Sequence, residues 1–156
     1  MAVLIDNRQS LLPIASEKLG RQARAILDAL GCPEGELSLV IVDDAQIAAI
    51  NRQYLNRSGP TNVISFAMRE GDFGHLHPEL LGDVIISAET ARREAEAAGM
   101  TADARISELL VHGVLHLFGY DHETPTADEA AMEAKTAELL AMLAVSTEGY
   151  RDKKGD

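Results

Sequence analysis

The stretch "ADARISELLVHGVLHLFGYDH", residues 102–122, decides the fold. Ile106, Leu109, Leu110, Val111, Val114, Leu115, Leu117 and Phe118 place apolar side chains around almost its whole circumference. A helix that is apolar all round belongs in the core rather than on the surface. Thr101 precedes it as a capping residue, and Gly119 follows as a residue able to turn left-handed and end it. The pattern predicts a buried helix over 102–118. Two histidines ride on it: His112 and His116 are four apart, so they share one face, roughly 40° from each other. Polar rings on a buried helix need partners. Once Gly119 lets the chain reverse, His122 can return to the same spot. Three neutral imidazoles with an open fourth position form the pattern of a catalytic zinc site rather than a closed structural one.

Outward from this helix the chain reads as a mixture of strands and helices. "AVLIDN" is a short strand, and "LPIASEKLGRQARAILDAL" is an amphipathic helix closed by Gly31. "ELSLVIVDD" is β-branched and reads as a second strand; Asp43 or Asp44 then caps the helix "AQIAAINRQYLN". "RSGPT" is a turn, "NVISFAM" a third strand, "REGDFGHLHPELLG" a loop and "DVIISA" a fourth strand. "AETARREAEAAG" is a helix ended by Gly99, and "TPTADEAAMEAKTAELLAML" is the last helix, with Pro125 tolerated near its start. The fold class is α+β: a small mixed sheet of about four strands covered by helices, with the histidines on a core helix. One catalytic domain is expected over 1–145, followed by a polar, frayed tail over 146–156.

Composition bounds the function. A chain of 156 residues can build its own core. The single cysteine, Cys32, excludes an internal disulfide and suits a reducing compartment. No apolar run reaches membrane-spanning length and no secretory signal is visible, so the cytoplasm is the expected location. A formal charge of −11 argues against non-specific nucleic-acid binding but leaves room for a local basic cleft from Arg52, Arg57, Arg69, Arg92 and Arg93.

The histidine spacing also matches H-E-x-x-H-x-x-G-x-x-H, the ligand pattern of a class of zinc proteases. In those enzymes the Glu after the first His is the general base; here that position is Gly113, which has no side chain. Gly113 reads otherwise as a site of close helix packing. A metal can lower the pKa of bound water to about 7 without a neighbouring carboxylate. A phosphodiester, already charged, needs its anion stabilised more than it needs that base.

With "HGVLHLFGYDH" read alongside "PTNVISFA" and "LGDVIIS", the chain resembles the YbeY family of single-strand-specific endoribonucleases over nearly its whole length. The family's signatures are H-G-x-L-H-L-x-G-Y-D-H, P-T-[ND]-V-L-S-F-P and L-G-D-[IV]-x-I-S. The resemblance implies a zincin-like α+β fold and one zinc ion held by His112, His116 and His122. It also implies a cytoplasmic enzyme of 16S rRNA 3′-end maturation and ribosome quality control. Single-stranded rRNA, the ribosomal small subunit and its assembly factors are the implied partners, and no DNA or membrane partner is expected. The family usually carries Arg after the Tyr of L-N-x-x-Y-R-x-K-D-x-P-T, where this chain has Leu55. Arg57 falls at the family's Lys position and is the candidate phosphate-stabilising catalytic residue; Ala67 replaces the Pro after "SF".

Other residues keep two readings. Arg57 reads also as a solvated turn charge, and Asp83 as a turn acceptor or a residue orienting a ligand in the cleft. Asp121 is similarly open, and His75 and His77 read as loop residues. Two other functions stand beside the endoribonuclease: a metal-dependent hydrolase of another substrate, such as a peptide, and a ribosome-assembly factor that binds RNA and protein around a structural or vestigial metal site.

Overall fold

The computed structural model describes residues 3–68, 80–120 and 126–155, without the side chains of 126–128 and 146–155. His75, His77, Asp121, His122 and Pro125 lie outside the described residues. The elements run β1 (Val3–Asn7), α1 (Ser16–Ala29), β2 (Glu36–Val42), α2 (Asp44–Leu55), β3 (Val63–Ala67), β4 (Leu80–Ser87), α3 (Ala88–Ala98), α4 (Ala102–Leu117) and α5 (Thr126–Gly155). The strands form one sheet in the order β1-β2-β4-β3; β1 and β4 run parallel to β2, and β3 runs antiparallel to β4 at the edge. The α+β architecture expected from the sequence is the one observed.

Strand alternation divides the core between two faces. Leu37, Leu39 and Ile41 of β2, with Val84 and Ile86 of β4, join α1, α3, α4 and α5 in the larger cluster. Val42, Ile64 and Ile85 point the other way and meet Ile47 of α2, with Val40, Ile50 and Phe66 packed around them. This is the period-two rule of a strand with helices on both sides.

Helix α4 lies in the larger cluster, with Ile106, Leu109, Leu110, Val111, Val114, Leu115 and Leu117 all buried. Its ends follow the expected chemistry. The Thr101 side chain accepts from the Ala104 N–H, and Gly119 takes a positive φ of 92° just past the end. Asp43 caps α2 through a reciprocal pair with Gln46, and Gly99 ends α3 in the left-handed region.

Two boundaries differ from expectation. Strand β4 begins at Leu80, inside the stretch read as loop. Its register against β2 jumps between Glu36 and Leu37, which skips Leu81, and Gly82 carries a φ of +140° there. A Cβ on Gly82 would fall 2.0 Å from the Phe66 carbonyl oxygen, so only glycine lets β3 close on β4 beside this bulge. Helix α5 passes the expected boundary at 145 and continues to Gly155, so the polar tail extends the helix. No helix among the described residues is long and apolar enough to cross a membrane.

Candidate active site

A cleft of about 840 Å³ opens between edge strand β3, the turn leading into it and the C-terminal half of α4. His112, His116, Gly119 and Tyr120 line one side; Arg57, Thr61, Ser65 and Ala67 are among those lining the other. The two histidines are half-buried and share one face of a largely buried helix. Their Nε2 atoms face each other at 3.0 Å, with ring centroids 4.6 Å apart and planes inclined by 68°.

This geometry bears on a metal. Two imidazoles about 2.0–2.1 Å from one tetrahedral ion hold their nitrogens about 3.3–3.4 Å apart. The observed 3.0 Å is close to that, and both nitrogens converge on the open cleft. The two described donors therefore fit a shared cation.

Gly113, the residue between them that cannot act as a base, is explained by packing. A Cβ there would stand 2.5 Å from Cγ1 of Val84 and 3.2 Å from Cγ2 of Val63. Val84 is fully buried and β-branched, so it cannot move aside cheaply. The position points into the sheet, and a glutamate there would have to displace Val84. Ser65 fastens the same turn of α4: its Oγ donates to the Gly113 carbonyl at 2.8 Å, tying edge strand to helix between the two histidines.

Arg57 reaches the cleft because of how α2 ends. Asn56 adopts the left-handed conformation at φ 54°, and the Asn51 carbonyl accepts from both the Asn56 and Arg57 N–H groups. The buried Asn51 side chain then donates to the Gly59 carbonyl at 3.0 Å. One asparagine thus pins the turn that presents Arg57, a role invisible in the sequence because nothing in "INRQYLN" distinguishes Asn51 from a helix surface residue. Leu55 lines the cleft too and is 41% exposed.

Among the expected site residues, His112, His116 and Arg57 share the cleft, and His122 falls outside the described residues. Asp83 is not among the cleft-lining residues; it pairs with Ser38 and Phe66 across the sheet and lines a separate hollow with Leu4, Glu36 and Met68.

Three comparisons with known proteins bear on this site. The family model described as "Endoribonuclease YbeY" matches residues 4–144. The chain is 56% identical over 144 residues to the endoribonuclease YbeY of Geobacter sulfurreducens, covering 92% of this chain and 96% of that one. It is 56% identical over 140 residues to that of Syntrophotalea carbinolica, covering 89% and 93%. The solution structure of TM1509 from Thermotoga maritima superimposes with a TM-score of 0.66 over 97% of this chain and 95% of that one, at 19% identity, a likeness of fold.

Proposed function

The chain belongs to the YbeY family of endoribonucleases, and from that premise we propose that it is a zinc-dependent, single-strand-specific enzyme of 16S rRNA 3′-end maturation and ribosome quality control, working in the cytoplasm. The observation that carries the reading is the cleft itself, where the paired imidazoles of His112 and His116 stand on the same surface as Arg57. Single-stranded rRNA is the substrate in this reading, and the small subunit with its assembly factors presents it.

His112, His116 and His122 are the residues that would hold the metal. When bound there, zinc supplies positive charge and an acidified water at neutral pH. The protein's own residues supply the rest. Arg57 meets the negative charge that grows on the phosphoryl oxygens as the phosphodiester breaks, its planar fork suiting two oxygens at once. Asn51 holds the Arg57 turn in place, and Ser65 keeps the helix turn between the two histidines against β3. With Gly113 sealed against Val84, no carboxylate base stands beside the histidines at that position, which suits a charged phosphodiester better than a neutral peptide.

The deciding assay is cleavage of single-stranded rRNA by the zinc-loaded protein, wild type beside His116→Ala. Cleavage by the wild type and its loss in the variant are expected. A wild type that binds the small subunit yet cuts no RNA would replace this reading with that of an assembly factor.

A further inference from the structure

A second hollow, of about 230 Å³, adjoins the cleft. Asn62 and His112 line both, so the two share a wall. The smaller hollow takes the preceding turns of α4, with Arg105, Glu108 and Leu109, and is completed by Thr136 and Leu140 of α5. Glu108 sits four residues before His112, one helical turn away on the same face, as His112 sits before His116.

The charges here are arranged against phosphate. Arg105 is the cation of the hollow, and it is engaged by two carboxylates: its Nε and Nη2 both meet Glu94 at 3.0 Å and its Nη1 donates to Oε1 of Glu108 at 2.8 Å. Asn62 directs its amide donors at both Glu94 oxygens, 3.3 Å away. What remains is acceptor capacity: Oε2 of Glu108 and Oδ1 of Asn62 have no partner among the described residues. With the Arg105 guanidinium engaged by two carboxylates, the described lining presents acceptors rather than a phosphate clamp. Leu109 and Leu140 add apolar wall.

On a single RNA strand, the group that is flat, apolar on its faces and rich in N–H donors at its edge is a nucleobase. We infer that this hollow is a base pocket beside the scissile phosphate, in which Glu108 and Asn62 accept hydrogen bonds from a base bearing an exocyclic amino group. Adenine, cytosine and guanine each carry such a group; uracil carries none, and where cytosine has its amino group it presents a carbonyl oxygen that sets acceptor against acceptor. The hollow thus selects against uracil at one position next to the cut. This rests on the endoribonuclease reading of the cleft.

The test uses zinc-loaded full-length protein and single-stranded oligoribonucleotides identical except for cytosine or uracil at each position flanking the cleaved bond. At one position cytosine should be cut about tenfold better in kcat/KM, the discrimination of one good base-edge contact. Glu108→Gln, which presents a donor as well as an acceptor, should bring that ratio close to unity. Equal rates for the two bases at every position in the wild type, or an unchanged ratio in Glu108→Gln, overturns the pocket and leaves the nuclease reading standing. If the wild type cuts nothing, fluorescence-anisotropy binding of the same oligonucleotides decides. A cytosine preference erased by Glu108→Gln then keeps the pocket while the nuclease reading falls; no preference removes the pocket. Should circular dichroism show Glu108→Gln misfolded, the wild-type comparison alone decides.

Discussion

Arg57 and Leu55 stand two residues apart on one turn, and both line the cleft. Arg57 therefore places a guanidinium on the cleft wall two positions beyond Leu55. Asn56 makes this possible, because its left-handed conformation redirects the chain between them. If Arg57 stabilises the phosphoryl charge, Arg57→Ala should lower single-strand cleavage by about 10²–10³, the usual effect of removing one preorganised electrostatic contact, with metal content and thermal midpoint unchanged. Leu55→Arg should raise the rate or leave it as it is. An Arg57→Ala enzyme as fast as wild type, beside a strongly accelerated Leu55→Arg, would reduce Arg57 to a turn charge. At this scale the sequence was legible where a residue's role is local. The spacing of His112 and His116 is a property of the helix, and Thr101 and Gly119 act on their own neighbours. Asn51, Glu108 and the partner of Asn62 were not legible, because such pairings are set by tertiary packing: Asn62 meets Glu94 across 32 positions. Gly113 could be read as an absent base, but the reason for it, Val84 on a distant strand, could not.

Among the elements, α2 and α3 are joined at their N-terminal ends through Asp44. Asp44, first residue of α2, receives hydrogen bonds from Ser87 at 2.7 Å, from Thr90, and from Arg93 at 2.6 Å, while its own N–H donates to Glu89. Burial alone would raise this carboxyl; hydrogen bonds from Thr90, Ser87 and Arg93 and the Arg93 charge outweigh it and hold it below its ordinary 3.8. A depressed carboxylate stabilises the fold fully above its unfolded value and ceases to as pH falls through the folded one. The Asp44 contribution should be intact at neutral pH, shrink below pH 3.8 and vanish at lower pH. Asp44→Asn should cost about 1.5–3 kcal/mol at pH 7 in urea unfolding, the range for hydrogen bonds to a charged group. The gap to wild type should close as the pH drops below that value. Other carboxylates titrate in both proteins, so the difference isolates Asp44; a gap constant down to pH 2 would assign the stabilisation to packing. The early start of β4 is the corresponding lesson in legibility. "LLG" falls at the end of the stretch read as loop, yet Gly82 is there to admit the Phe66 carbonyl from the neighbouring strand.

For the whole molecule, the α+β class followed from the order of the periodic segments, and the central place of α4 from its apolar circumference. The pairing order β1-β2-β4-β3 and the antiparallel edge did not, because non-local pairing leaves no local mark. That topology separates the site from the core. The larger apolar cluster runs through α1, β2, β4, α3, α4 and α5, while His112 and His116 occupy the rim where α4 meets the edge strand. The fold should therefore stand without the metal. In the zinc-loaded protein, His112→Ala or His116→Ala should abolish stoichiometric binding, read by elemental analysis, and a chelator should do the same to the wild type. The far-UV circular dichroism should persist in each case. Stability should fall only by the linkage of a ligand to the native state, about 3–4 kcal/mol at 100–1,000 times the dissociation constant. A catalytic site grafted on a self-sufficient core behaves this way, whereas a structural zinc supplies the folding energy itself. Cooperative unfolding of the whole chain on chelation at room temperature would place this site in the second class and remove the ground for assigning its metal to catalysis.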